Sequence, residues 1–391
     1  MSEHSRICRA AREHERLAEP LWLATVMQVR GSAYRRPGAR MLFSNGRVLA
    51  GSVSGGCLEA SIVRKGPWLA RQRPVCVRFE NDRDVDATLE DEASPLGTGC
   101  DGALDILIER ASFDPPGAPL AVLERCLSAE RRAVLATVFE SHTACIPIGA
   151  RLTLDQAGKV IAHGLDAAAY AKLAQSASRL LSEPYPGTRP LRTERFAALL
   201  ELIEPPPHLF VFGAGPDAVP LVDLSATLGL GVTVCDASAR LAVRERFATK
   251  ASVHLGDVAS SAEQLAARRA AVAVVMSHHY PTDRQALEML LTSRAAYIGV
   301  LGPRRRTERM LRELLPDPAA RAQARARLHA PLGLDLGAET PAQIALAALA
   351  EIQAVLSGTS ALPLSESGNQ PIHRVVSELC VPAALANART A

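Results

Sequence analysis

Cys57 closes the small-residue run Gly51-Ser52-Val53-Ser54-Gly55-Gly56, and the following Leu58-Glu59-Ala60-Ser61-Ile62-Val63 reads as a helix. A thiol at a helix N-terminus, among backbone N–H groups with no intrahelical partner, is pushed toward thiolate. A second cysteine, Cys100, sits in another glycine loop, Gly97-Thr98-Gly99-Cys100-Asp101-Gly102, and Gly31 to Gly38 forms a third loop carrying the adjacent cations Arg35 and Arg36. The spacing does not suit zinc, which takes four ligands in close pairs. A soft thiolate beside the amides of Gly55 and Gly56 and two arginines suits a soft metal or sulfur centre carried on a phosphorylated ligand, with Cys57 as the candidate metal contact. The competing reading is that each cysteine is an inert core residue, as most unpaired cytosolic thiols are.

A second constellation lies in the other half of the chain. Gly213-Ala214-Gly215-Pro216-Asp217-Ala218 follows the apolar strand Leu209–Phe212 and opens a helix, the context a dinucleotide-binding turn requires. Gly213 permits the turn, Gly215 lets a phosphate approach the backbone, and Asp236, at the end of the next strand, is placed to bind ribose hydroxyls. Asp217 in the first helical turn opposes a bound phosphate. His278 and Asp283 follow the fourth strand and Arg304-Arg305-Arg306 the fifth, so all are expected at the carboxyl edge where ligands of such sheets bind.

The elements that must position these groups divide into two styles. Up to residue 182 the chain reads as α+β: a charged helix at 6–19, strands at 21–27, 40–43, 47–50, 75–79, 104–108 and 133–138, a helix at 118–128, and a hairpin at Asn45-Gly46. Prolines concentrated between 183 and 207 predict an interdomain linker. From 208 to 358 short apolar strands alternate with helices, including ones at 216–228, 240–247, 260–269 and 283–293, and the last starts at Thr340-Pro341. That alternation predicts a doubly wound parallel sheet of Rossmann type, covered on both faces. Residues 359–391 form a tail without clear pattern.

Composition narrows the function. The 391 residues carry a net charge of +3, too small to imply nucleic acid or an anionic membrane by itself. No apolar run is long enough to span a bilayer, and the eight cysteines include no Cys-x-x-Cys pair, a usage suited to a reducing cytosol. Only Lys65, Lys159, Lys172 and Lys250 are lysines, so arginine is the default cation of this chain and weaker evidence for anion binding than usual.

Gly31-Ser32-Ala33, Pro37-Gly38-Ala39-Arg40-Met41 and Gly51-Ser52-Val53-Ser54-Gly55-Gly56-Cys57-Leu58-Glu59 resemble the N-terminal signature of the xanthine dehydrogenase accessory factors of XdhC/CoxI type. The stretches around Gly213, Tyr297-Ile298-Gly299-Val300-Leu301-Gly302 and Pro331–Pro341 resemble the second half of the same family. The resemblance implies a cytoplasmic, non-catalytic molybdenum cofactor chaperone. It would bind molybdopterin or its dinucleotide form, shield it while a terminal oxo ligand is exchanged for sulfido, and deliver it to a molybdenum hydroxylase. It also implies a homodimer, with a cysteine desulfurase and cofactor-biosynthesis proteins as further partners, and Cys57 and Cys100 as cofactor contacts. Two other functions stay open: an NAD(P)-dependent oxidoreductase using the Rossmann half, and a persulfide carrier with Cys57 as acceptor.

Overall fold

A computed structural model describes residues 2–17, 19–31, 34–56, 58–79, 103–183, 187–247, 251–268 and 271–366. Cys57 and Cys100 lie outside the described residues, as does the tail from 367 onward. The chain divides into two compact units, Glu3–Glu204 and Pro205–Glu366.

The first unit runs α1 (Glu3–Glu15), β1 (Trp22–Arg30), β2 (Arg40–Ser44), β3 (Arg47–Gly51), α2 (Glu59–Leu69), β4 (Val75–Phe79), β5 (Ala103–Arg110). It continues α3 (Pro119–Ala129), β6 (Ala133–Ser141), β7 (Arg151–Asp155), β8 (Val160–His163), α4 (Ala167–Leu181), β9 (Thr188–Arg192), β10 (Phe196–Ile203). These form two antiparallel sheets, β3-β2-β1-β5-β4 and β8-β7-β6-β10-β9. The second repeats the first strand for strand, so the unit is an internal duplication.

The chain sequence carries the repeat once the register is known. Leu23-Ala24-Thr25-Val26 recurs as Leu135-Ala136-Thr137-Val138, and Gly38-Ala39-Arg40 as Gly149-Ala150-Arg151. Thr25 lies opposite Arg40 and Thr137 opposite Arg151. Gly38 donates its N–H to Val26 O at 2.8 Å and Gly149 to Val138 O at 2.8 Å, with φ of +91° and +88°. Alternation along the strands sorts the side chains. Trp22, Ala24 and Val26 pack under Ile62 and Val63 of α2, while Val134, Ala136 and Val138 pack under Leu173 and Ala177 of α4. Met27 and Leu107 of one sheet meet Phe139, Ala197 and Leu199 of the other.

Two ion pairs join the sheets, related by the same repeat. Arg40 donates to Glu201 at 2.7 Å, and Arg151 pairs with Glu109. Glu109 stands opposite Leu23 and Glu201 opposite Leu135, so the two glutamates occupy matching positions.

The expected linker at 183–207 is corrected: residues 188–203 form β9 and β10, and every residue of β10 is buried. The prolines misled because Pro190 lies in β9, an edge strand, where a missing N–H costs no ladder bond. The two units part at Glu204 and Pro205 instead.

The second unit runs β11 (His208–Phe212), α5 (Ala218–Leu228), β12 (Gly231–Asp236), β13 (Ser252–Leu255), α6 (Ala262–Ala267), β14 (Ala271–Val275), α7 (Tyr280–Thr292), β15 (Tyr297–Val300). It ends α8 (Arg304–Leu314), α9 (Pro318–Arg327), β16 (Leu328–His329), α10 (Pro341–Ser357). The sheet is parallel, in the order β13-β12-β11-β14-β15-β16, which is the Rossmann order. Alternate residues of the strands face α5 and α10 on one side and α6, α7 and α8 on the other, giving the two expected cores. The helix expected at 240–247 is only a single 3₁₀ turn, Arg244–Arg246.

Candidate functional site

In the first unit the glycine loop is organised by a residue that sequence reasoning passed over. The Glu59 carboxylate, in the first turn of α2, accepts from Ser54 N (2.8 Å), Val53 N (3.1 Å), Ser52 Oγ (3.1 Å) and Ser54 Oγ. Ser54 Oγ in turn accepts from Leu58 N at 3.1 Å and Gly56 N at 3.3 Å. The loop on both sides of position 57 is thus tied to one carboxylate. Partial burial would raise the Glu59 pKa, but these hydrogen bonds outweigh it and hold the group below the usual glutamate range. An acidic residue opening a helix just after a Ser-rich loop is the signal that could have found it.

Gly55 and Gly56 remain exposed. A Cβ on Gly55 would touch the Tyr34 ring at 3.8 Å, whereas one on Gly56 would meet nothing. Tyr34, 69 % exposed, therefore lies beside the open backbone of Gly55. Arg36 is exposed, but Arg35 is engaged, donating to both oxygens of Glu3. Of the two expected cations, only Arg36 faces outward for a ligand. Open glycine backbone beside a phenol ring fits a flat heterocycle.

Glu59→Gln tests this organisation. An amide cannot accept all four hydrogen bonds, and one unpaired buried donor costs about 1–3 kcal/mol. A lower thermal midpoint at pH 7 is the expected result. Because the folded pKa is lowered, the carboxylate's contribution is present above the ordinary glutamate pKa and is lost as pH falls through the lowered value. The midpoints of variant and parent should therefore converge in acid.

Cys8, Cys126 and Cys235 are buried and Cys76 half-buried. Burial pushes the thiols of Cys8 and Cys76 up to about 12, and those of Cys126 and Cys235 to about 11. These four behave as small hydrophobes.

In the second unit the expected residues gather at the carboxyl ends of the strands. Gly213 has φ +118°, and a Cβ there would lie 2.6 Å from Ser277 N, so glycine is required by the approach of the loop after β14. Gly215 faces open space. Asp236 is more committed than expected: its two oxygens accept from Ala214 N (2.7 Å) and Ser238 N (2.8 Å). Asp217 meets His278 Nε2 at 3.0 Å, and His278 holds a left-handed φ of +60°. Of the arginine triplet, Arg304 and Arg305 are exposed. Arg306 turns inward and donates to the fully buried Asp283 at 2.6 Å, and Asp283 also accepts from Ser277 N and Oγ. Arg306, rather than Arg304, is the structured member of the set. Pro216 lacks an N–H and Asp217 adds negative charge, so the start of α5 is a poor cradle for pyrophosphate. Among the described residues no cluster of three or more His, Cys, Asp or Glu could hold a metal, and no helix is long and apolar enough to cross a membrane.

Fold and site together define a class: a duplicated α+β unit presenting a carboxylate-tied glycine loop, coupled in sequence to a Rossmann unit. Residues 15–80 match the model of the XdhC and CoxI family, and residues 209–352 match that of the XdhC Rossmann domain. Over 337 residues the chain is 30 % identical to a probable xanthine dehydrogenase subunit of Bacillus subtilis (strain 168), covering 84 % of this chain and 91 % of that protein. A 169-residue stretch is 32 % identical to the uncharacterized protein YqeB of Escherichia coli (strain K12), covering 42 % of this chain and 31 % of that one. The crystal structure of a xanthine dehydrogenase from Bacillus halodurans superposes with a TM-score of 0.69 at 23 % identity, over 91 % of this chain and 96 % of that one, which speaks to the fold. The chain belongs to the XdhC and CoxI family.

Proposed function

We propose that the protein is an accessory factor for a xanthine dehydrogenase-type molybdenum hydroxylase. In this reading it binds molybdenum cofactor on the first unit, protects it during sulfuration and hands it to the hydroxylase. The observation that carries the reading is the loop around position 57. Its backbone is held by Glu59 and Ser54, its glycines are open, and Tyr34 stands beside it. Tyr34 and the glycine backbone would hold the flat ring, Arg36 would meet the anionic tail, and Cys57 would offer the soft donor the metal prefers. Family membership and the Bacillus subtilis relative support the accessory role. A cysteine desulfurase as sulfur source, a homodimeric assembly and a cytoplasmic setting belong to the same proposal. The bound cofactor is molybdopterin or its dinucleotide form, and the Rossmann unit is free to take a nucleotide.

An NAD(P)-dependent oxidoreductase is the second reading, favoured by the Rossmann strand order and the Gly213–Gly215 turn. Purified protein, denatured and analysed for released pterin, nicotinamide and flavin, separates the two. Stoichiometric pterin is expected. Nicotinamide without pterin would sink the accessory reading.

A further inference from the structure

The internal duplication provides a comparison within one molecule, because α2 and α4 occupy the same place in the two repeats. Fold requirements on their outer faces are therefore alike, yet the faces differ. On α4 the exposed side chains are the cations Lys172 and Arg179 and the ring of Tyr170, 41 % exposed, set among alanine, serine and glutamine. On α2 the face opposite buried Ile62, Val63 and Gly66 carries Arg64, Lys65 and Trp68, and the turn after it adds Arg71 and Arg73, all exposed. Trp68 is 77 % exposed, and no aspartate or glutamate occurs between Glu59 and Glu80.

Several other arginines of the unit are held by carboxylates: Arg12 by Glu124, Arg78 by Asp105, Arg132 by Glu204, Arg192 by Glu140 and Arg195 by Asp166. Among the described residues Arg64, Lys65, Arg71 and Arg73 have no such partner. An exposed indole loses favourable burial in water, and four uncompensated cations repel one another; both conditions are relieved by an acidic surface with an apolar pocket. Tryptophan ringed by arginine is also the composition of a protein–protein hot spot. Phosphate-backbone binding gains from many spread contacts rather than one indole, and a single tryptophan is a weak membrane anchor.

We propose that the α2 face centred on Trp68 docks an acidic surface of the receiving molybdenum hydroxylase, an inference that rests on the accessory reading above. The helix begins two residues after Cys57, and Trp68 lies about 14 Å along it from Glu59, at roughly 1.5 Å per residue. A partner seated there is held one short helix away from the glycine loop.

The test measures binding of the full chain to the purified cofactor-free hydroxylase of the same organism. Trp68→Ala is expected to raise Kd on the order of thirtyfold. The double variant Arg64→Glu/Lys65→Glu should slow association roughly tenfold and flatten its salt dependence. Lys172→Glu on α4 should leave binding unchanged, and all variants should keep the parent's thermal midpoint because the side chains are exposed. Binding that is insensitive to both α2 variants overturns the docking face while leaving the accessory reading intact. Failure of the parent to bind at all overturns both. Parent binding to duplex DNA or to phosphatidylserine vesicles that is lost in the α2 variants would assign the face to a different partner and overturn the proposal.

Discussion

A Cys57→Ser chain is expected to fold as the parent does and to copurify with about a tenth or less of the parent's pterin, because a neutral hydroxyl is a harder, less nucleophilic donor than a thiolate. The loop supports the first half of that expectation. Gly56 and Leu58 flank the position, both backbone N–H groups are held by Ser54 Oγ, and Gly56 is exposed. An isosteric exchange there leaves these bonds in place, so the stability cost should fall well under the ~2–5 kcal/mol of truncating a large core side chain. A hydroxylase coexpressed with the variant should accumulate as protein yet show low activity per mole, for want of sulfido-molybdenum centres. Two measurements decide it: pterin released from the purified variant, and client activity normalised to client. Unfolding would make Cys57 a core residue. A folded variant that retains pterin and supports the client would remove the thiol from the handover.

The largest stability loss is expected at Arg40. Its side chain is 2 % exposed and bonds Glu201, itself 4 % exposed, at 2.7 Å, and Gly38 O at 2.9 Å. Arg40→Ala leaves a carboxylate buried between two sheets without its counter-charge, a defect worth about 3–5 kcal/mol. A Cβ on Gly38 would lie 2.6 Å from Glu201 Oε2, so the carboxylate fills the space that this glycine leaves open. The double variant Arg40→Met/Glu201→Leu removes both charges and should recover most of the loss, since a well-packed apolar pair often matches a buried ion pair. Urea denaturation of the three proteins checks this. Arg40→Ala within about 1 kcal/mol of the parent, by that measure, would mean that water reaches Glu201 and that the pair does not join the sheets. The matching Arg151–Glu109 pair is somewhat more open at Arg151, so Arg151→Ala should cost less.

Local chemistry alone determined much of the second unit. Runs such as Leu209–Phe212 and Ala271–Val275 are apolar throughout because both faces of a parallel sheet are covered, and the Gly213 turn and Asp236 fall where that periodicity puts them. Thr340-Pro341 likewise opens α10 with a capping box that needs only neighbouring residues. The glycine loop before Cys57 and the cations at 35–36 were legible as residue types for the same reason. What tertiary structure decided are the partnerships between distant groups: Arg35 goes to Glu3, Asp236 to the amides of Ala214 and Ser238, Arg306 to Asp283, and Arg40 to Glu201. A charged side chain is the same letter whether it waits for a ligand or neutralises a neighbour, and only folding brings that neighbour within hydrogen-bond reach. The duplication lay between these cases. Leu-Ala-Thr-Val and Gly-Ala-Arg each occur twice, but they are too short to stand out until the sheets show that the two copies occupy the same register. Strand β10 was hidden for a related reason: the prolines before it read as a linker, and pairing with β6 on one side and edge strand β9 on the other places it inside a sheet.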